Sequence, residues 1–422
     1  MSAANNTVPS SRIVTMLALI AAGEAAFFLP FLVARVFRPT VLDVFDLTNL
    51  QLGTAYGVYG AVAMVAYLLG GPLADRFPAR LLLTIALVTT AAGGLVLITI
   101  PSLQTLILLY GCWGITTIAL FWAPLIRATR EWGGELAQGA AFGLLDGGRG
   151  LLAAITGSVL VITFAMLMPV DPETATATER EAALRVAIGI LLLITTLTGL
   201  FIWLALPTQT RQTHAASRGV NFRTIFTAMQ LPAVWLQAMI IICAYVGFRA
   251  VDDFPLYATE VLGVDEVAAA RLSTVSLWVR PFAAIAAGLL ADRITSSRMT
   301  LLSFGLILFG SAVLASGVMQ ADLYLFFLLT MVTTSAGVFA LRGLYYAIMQ
   351  QGRIPLTITG SAVGVVSLIG YTPDVFMGPL MGWLLDRSPG AAGHQDVFIV
   401  VCCFALAGCV ASIMFERITR ST

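Results

Sequence analysis

The sequence predicts an all-α integral membrane protein whose twelve transmembrane helices form two pseudo-symmetric six-helix bundles. Hydrophobic residues make up 59% of the 422 residues and charged residues only 11%, whereas a soluble domain carries about 25% charged residues. Long uncharged segments recur along the chain, and one polar, basic segment divides them six and six. A charged turn motif also occurs twice, about half a chain apart. The sequence therefore predicts that lipid surrounds most of the chain.

The same composition excludes several classes of protein. So little charge excludes a soluble enzyme, a nucleic-acid binder and a disordered protein, and a membrane β-barrel is not expected because barrel strands alternate apolar and polar residues. All 23 basic residues are arginine, so no lysine is present for a Walker A site or a Schiff base, and no cofactor is predicted. The five cysteines lie in apolar runs, and we assign His214 and His394 to polar connecting segments. Neither set predicts a metal site.

The first half contains six apolar segments of sufficient length, since about 20 apolar residues cross the hydrocarbon core. The clearest stretch, from Leu81 to Ile126, has no charged residue and holds two helices around a turn at Pro101. The predicted spans are 13–36, 51–74, 81–100, 104–127, 139–168 and 185–206.

The second half repeats this count. Its predicted spans are 230–257, 268–291, 299–319, 322–349, 357–385 and 396–415. The longest polar, basic segment, Thr208 to Arg223, lies between the halves. We therefore predict an N-terminal bundle at 1–206, a cytoplasmic linker at 207–229 and a C-terminal bundle at 230–422.

The arginines predict the orientation. With both termini in the cytoplasm, thirteen arginines lie on the cytoplasmic side and six outside, which satisfies the positive-inside rule. We predict a multi-pass protein of a bacterial inner membrane with cytoplasmic termini. The lipid bilayer is its partner, no nucleic acid is expected, and the chain is expected to be a monomer.

Two landmarks indicate an internal duplication. The turns Gly71–Arg80 and Gly288–Arg298 share G-x-L-A-D-R followed by a further arginine, with Asp75 and Asp292 offset by 217 residues. The segments Gly139–Gly143 and Gly360–Gly364 also resemble each other, at an offset of 221. Two landmarks at nearly one offset indicate parallel six-helix repeats, which is one of the architectures of membrane transporters.

This pattern resembles the major facilitator superfamily, and the resemblance covers essentially all twelve spans. It rests on the motif G-x-L-A-D-R-x-x-x-R between the second and third spans. The resemblance implies alternating access around a central site between the halves. It also implies gating or structural roles for the motif residues, which are Asp75, Arg76, Arg80, Asp292, Arg293 and Arg298. Asp146 and Arg149, one turn apart in the fifth span, are a further candidate gating or structural pair. We expect them to lie away from the middle of the membrane.

Two departures argue against a multidrug exporter. Drug/proton antiporters of the superfamily carry an arginine within the fourth span, where this chain has none before Arg127. They also carry G-P-x-x-G-G in the fifth span, whereas here a similar segment, Gly378–Gly382, lies in the eleventh. A drug exporter is kept as a less favoured alternative.

Nine charged residues lie at least four residues from the ends of the predicted spans, where each costs at least about 2.5–3.5 kcal/mol and needs a partner or an aqueous cavity. Arg280 is the first substrate-binding candidate. It is similar to the eighth-span arginine of the monocarboxylate and oxalate transporters, where that residue meets the substrate carboxylate. A guanidinium matches a planar oxyanion and stays charged. A structural ion pair is the alternative.

Arg249 is the second candidate, because organophosphate transporters of the superfamily carry arginines on the first and seventh spans. Here the first-span position is Glu24, which argues against a paired-arginine phosphate site. Asp252 or Asp253, on the same predicted helix face, would instead neutralise Arg249. The remaining substrate-binding candidates are Arg342, Tyr345, Tyr346, Tyr371 and Trp278.

Proton coupling requires a carboxyl in the cavity that can pick up a proton. Glu24 and Asp374 are the first candidates, because each is mid-span with no arginine within four residues, and Asp252 and Asp253 follow. The sequence therefore predicts a secondary transporter that moves a small organic anion by proton-coupled symport. The alternatives are a symporter or facilitator for a neutral sugar-like or zwitterionic solute, and a non-transporting membrane receptor or enzyme.

Overall fold

The computed structural model describes residues 9–134, 138–207, 222–345, 347–352 and 359–420. Within these residues, twelve helices are long and apolar enough to cross a membrane, as predicted. In chain order they are Arg12–Val36, Asn49–Arg76, Ala79–Leu97, Leu103–Gly133, Ala141–Leu167, Ala177–Ala205, Pro232–Leu262, Glu266–Ala291, Ser296–Ala315, Ala321–Leu344, Ala362–Arg387 and Ala391–Arg420, called spans 1 to 12 below. The described part of the chain contains no strand.

Several helix ends differ from the prediction for local reasons. Span 6 begins at Ala177 because Thr176 caps it, accepting a hydrogen bond from the Glu179 N–H while Glu179 accepts from the Thr176 N–H. Span 9 ends early because Gly317 adopts a positive φ of 74°, which glycine tolerates. Span 12 begins at Ala391, so that His394 lies within a helix and not in the predicted polar connection.

Among the described residues, four spans contain an irregular stretch in their interior. These are π-helical stretches at Phe28–Leu32 in span 1 and Ile115–Trp122 in span 4, a 3-10 turn at Val251–Asp253 in span 7, and an interruption after Gly370 in span 11. A charged side chain lies within four residues of the stretches in spans 1, 7 and 11, namely Glu24, Arg249 and Asp374. Broken helices in transporters commonly line the binding site, because their unpaired backbone groups are then available to polar partners.

The buried apolar residues form two main clusters, one from spans 1–6 with three residues of span 8, and one from the second half of the chain. The halves meet along two seams, where span 2 packs on span 11 and span 5 packs on span 8. In the first seam a Cβ atom on Gly53 would collide with the backbone of Gly378, and one on Gly382 with that of Asn49. Backbones therefore touch there directly. The domain boundaries remain a prediction, and residues 208–221, including His214, lie outside the described residues.

An even number of spans places both ends of the described chain on one face, called the terminal face below. The opposite face is called distal. Polar contacts between the halves, among the described residues, lie at mid-depth or towards the distal face. The distal contacts include Arg35 with Asp252 (2.5 Å), Thr40 with Glu266 (2.8 Å), Arg180 with Glu266 (3.0 Å) and the N–H groups of Asn49 and Leu50 with Asp386 (3.0 and 2.8 Å).

The repeated turns lie at the terminal face. Asp75 and Arg76 are exposed, the Arg80 guanidinium lies 4.1 Å from the Trp203 ring centroid, and Arg127 donates to the Ala74 carbonyl. In the second copy Arg293 is exposed and Arg298 pairs with Glu416 at 2.9 Å. The Asp292 side chain lies outside the described residues. The gating role of these residues remains a prediction.

Candidate functional site

Five charged side chains from four spans converge between the halves and form the central cluster: Glu24, Asp146, Arg149, Arg280 and Arg342. Arg280 Nη1 donates to Glu24 Oε1 at 3.0 Å, and Arg149 Nε donates to Glu24 Oε2 at 3.2 Å. Asp146 Oδ1 lies 3.8 Å from Arg149 Nη1 and 3.7 Å from Arg280 Nη2. Glu24 therefore links two guanidinium groups, one from each half.

The sequence analysis assigns Asp146 and Arg149 to a gating or structural pair away from Glu24 and Arg280. The structure instead brings all four side chains together. Helical spacing correctly placed Asp146 and Arg149 on one face. The close approach of spans 1 and 5 then carries Arg149 to Glu24, since a Cβ on Gly23 would lie only 2.9 Å from Arg149 Cδ. Glu24 consequently has two arginine partners, although none lies near it in sequence.

Arg342 differs from the other two arginines of the cluster. Its guanidinium lies 4.0 Å from the Phe248 ring centroid, and no carboxylate within ion-pair distance occurs among the described residues. It is close enough to interact electrostatically with Glu24 and Asp146. Tyr345, beside it, is buried, and Tyr346 lies outside the described residues.

The central cluster is reached by solvent on one side. Glu24, Arg149 and Arg280 are buried, whereas the Asp146 side chain is 39% exposed and Arg342 is partly exposed. Since Asp146 pairs with an arginine of the other half, this exposure indicates an opening between the halves and not a lipid-facing surface.

Aromatic rings lie beside the arginines of the central cluster. Arg149 lies within 6 Å of the rings of Phe27 and Trp122. Tyr371 packs edge-on against Tyr245 (5.2 Å between centroids) and stacks with Tyr67 of the other half (6.1 Å). The predicted ligand Trp278 is instead 37% exposed and donates to Ser158 Oγ at 3.0 Å, because it lies two residues before Arg280 and so on the other side of span 8.

A second group, the distal cluster, consists of Arg35, Arg38, Arg249, Asp252 and Asp374. Arg249 Nε donates to Asp374 Oδ1 at 2.7 Å, and Arg249 Nη1 lies 3.6 Å from Asp252 Oδ2. Arg35 Nε joins the halves by its bond to Asp252. Asp252 therefore lies within ion-pair distance of Arg249 but closer to Arg35, and Asp374 has an arginine partner from another helix.

The prediction that Asp253 lies on the same helix face as Arg249 is wrong. It accepts from His394 Nδ1 at 2.7 Å, while His394 Nε2 lies 3.2 Å from Glu260 Oε2. The 3-10 turn at Val251–Asp253 explains the difference, because it departs from helical spacing and directs Asp252 to span 1 and Asp253 to span 12. The described residues contain no group of His, Cys, Asp and Glu side chains that could hold a metal ion.

A family model described as Major Facilitator Superfamily matches residues 13–373. The chain belongs to the major facilitator superfamily. Two relatives from Escherichia coli (strain K12) are Inner membrane protein YihN and Inner membrane protein YqcE. YihN is 23% identical over 405 residues, covering 94% of this chain and 93% of its own, and YqcE is 24% identical over 406, covering 92% and 91%.

Among solved structures, the fold matches a bacterial homolog to the human lysosomal transporter Spinster, in an inward-facing and unoccupied conformation. The TM-score is 0.72 at 15% identity, covering 97% of this chain and 98% of that chain. The family and its structural neighbours confirm the predicted membrane fold and indicate a transporter and not an enzyme.

Proposed function

We propose that this superfamily member is a proton-coupled symporter of a small organic anion that binds at the central cluster. The observation that carries the proposal is the charge excess there, because three guanidinium groups face two carboxylates. A net charge of +1 in a low-dielectric interior is unfavourable without a counter-charge. An anionic ligand supplies that charge.

Arg342 and Arg280 are the proposed ligands of the anion. Stacking on Phe248 occupies one face of the Arg342 guanidinium and leaves its N–H edge for a planar oxyanion. Tyr245 and Tyr371 are near enough to Arg342 to interact with it, so their rings and hydroxyls would contact the organic part of the ligand. Arg249, held by two carboxylates, is assigned to closure of the distal face.

Glu24 is the proposed proton carrier. Its carboxylate and the ligand would compete for the same Arg280 N–H groups, since both are planar oxyanions. When the ligand takes Arg280, Glu24 loses a partner and a bound proton removes its uncompensated charge. Anion and proton then enter the site together, which is symport.

We further propose that the termini lie in the cytoplasm, on the arginine distribution. The distal contacts then close the outer side, and the central cluster opens inward. Labelling of a single cysteine near His214 tests this orientation, and access to it from outside the cell would reverse it.

Arg342 provides the decisive test. Thermal-shift screening of the purified protein against carboxylates, sulfonates, sugar phosphates and neutral sugars first identifies a stabilising ligand. Loss of a charge-assisted hydrogen bond is worth roughly 1.5–3 kcal/mol, so Arg342→Gln should weaken anion binding about ten- to a hundredfold. Arg342→Lys should recover part of it. The matched control is Arg387→Gln, which removes an exposed charge on the distal face and should leave anion binding unchanged.

A zwitterionic substrate is the second candidate function. The exposure of Asp146 favours it, because a solvent-accessible carboxylate beside arginines could accept an ammonium while the arginines hold a carboxylate. Stabilisation by amino acids that is lost in Asp146→Asn, together with no stabilisation by simple carboxylates, would favour this candidate over the first.

A further inference from the structure

Arg38 is a buried charge whose only hydrogen bond in the described part of the chain is to a neutral group. It is 5% exposed, and its Nη2 donates to Asn49 Oδ1 at 2.9 Å. Its Nε has no hydrogen-bond partner, and no carboxylate within ion-pair distance is present among the described residues. Asp386, on the same face, accepts instead from the backbone of Asn49.

The distal cluster therefore carries an excess positive charge of its own. Its guanidinium groups number three, and its carboxylates, Asp252 and Asp374, number two. A buried charge without a partner is strongly unfavourable, so native proteins pair it or admit a counter-ion. No side chain in the described residues plays that part for Arg38.

A small cavity adjoins Arg38. Its walls consist of Arg38, Arg249, Asp252, Tyr56, Met381 and the backbones of Gly53 and Gly378, and it has room for roughly one particle the size of a water molecule. Asp252 is the carboxylate on this wall, and it pairs with Arg35 and Arg249. An organic anion does not fit, whereas a water molecule or a halide ion does. The walls come from spans of both halves, so the cavity exists only while the distal face is closed.

We propose that this cavity binds a small inorganic monoanion, chloride in the cell, between Arg38 and Arg249. The ion supplies the charge that the distal cluster lacks, and it does so independently of the transported substrate. A ligand that binds one conformation only stabilises that conformation. Chloride should therefore favour the state in which the distal face is closed.

Thermal unfolding of the purified full-length protein tests the proposal, with chloride replaced by gluconate at constant ionic strength. Gluconate carries the same charge but is too large for the cavity. We expect a saturable rise in Tm of about 1–2 °C at a chloride concentration tenfold above Kd. Crystals grown in bromide should show an anomalous peak between the two arginines. Equal Tm in both salts, or a site that holds only water, would overturn the proposal.

Three variants separate a specific site from a general salt effect. Asn49→Asp places a carboxylate beside Arg38, so it should abolish the chloride response while the protein stays folded. Arg38→Gln removes the charge and should also abolish the response. Arg387→Gln, exposed on the same face, should keep it in full. A full chloride response in a well-folded Asn49→Asp protein would contradict the assignment.

Discussion

The central and distal clusters have the same charge composition and different surroundings. Each contains three arginines and two carboxylates, and in each one arginine lacks a carboxylate partner among the described residues. In the central cluster that arginine, Arg342, is partly exposed beside an open carboxylate. In the distal cluster it is Arg38, enclosed between packed backbones.

The comparison shows that charge alone does not define a substrate site. A surplus guanidinium favours an anion in both places, but access decides which anion enters. We propose that the central cluster admits an organic molecule, whereas the distal cavity has room for about one particle the size of a water molecule. The packing of spans 2 and 11 makes this difference, because it closes the halves directly beside Arg38.

The largest expected effect concerns the two candidate proton carriers, one in each cluster. Glu24→Gln should lose accumulation driven by a pH gradient but keep counterflow exchange, which needs no net proton movement. Asp374→Asn should instead lower both together, because Asp374 is held by Arg249 and Tyr245 and acts through closure of the distal face. Transport into proteoliposomes measures both quantities. Full gradient-driven accumulation in Glu24→Gln would remove Glu24 from the coupling step.

The next effect is on stability. Asp252→Asn leaves Arg35 and Arg249 with less compensation in a buried site, and breaking such a pair costs about 3–5 kcal/mol. Asp146→Asn should cost below about 1 kcal/mol, because partly exposed ion pairs are screened. Unfolding of both variants in one detergent measures the difference. Equal losses would mean that the two clusters do not differ in solvent access.

The smallest expected effect is on affinity. Arg280→Lys keeps the charge but loses the planar fork, so affinity for the anion should fall about tenfold or more, and further in Arg280→Gln. Arg249→Lys, the distal counterpart, should change affinity little. A well-folded Arg280→Lys protein that binds the anion normally would limit Arg280 to a structural ion pair with Glu24.

The fold could be predicted from the sequence because hydropathy and the repeated turn are local signals. Segments such as Leu81 to Ile126 contain enough apolar residues for two helices whatever their neighbours are. Helical spacing likewise placed Asp146 and Arg149 on one face. Signals of this kind do not depend on how distant helices are rotated.

The partners of the charged residues could not be predicted, because they depend on helix rotation and on breaks. Arg249 and Asp374 are separated by 125 residues, and His394 and Asp253 by 141. A single 3-10 turn sends Asp252 and Asp253 to different spans. Arg35 and Arg38 were counted as outer-side arginines, and only the packing of the halves shows that they are buried.

The close contact between spans 2 and 11 at Gly53 and Gly378 affects how well the closed protein blocks the passage of ions across the membrane. Dissolved ions screen the more exposed contacts of the distal face, such as Arg180 with Glu266 and Asn49 with Asp386, so those contacts weaken as external salinity rises. The contact between Gly53 and Gly378 involves no charged side chain and depends on shape. We therefore expect spans 2 and 11 to stay in contact at high salt concentration. The membrane voltage should then drive no ion current through the closed protein.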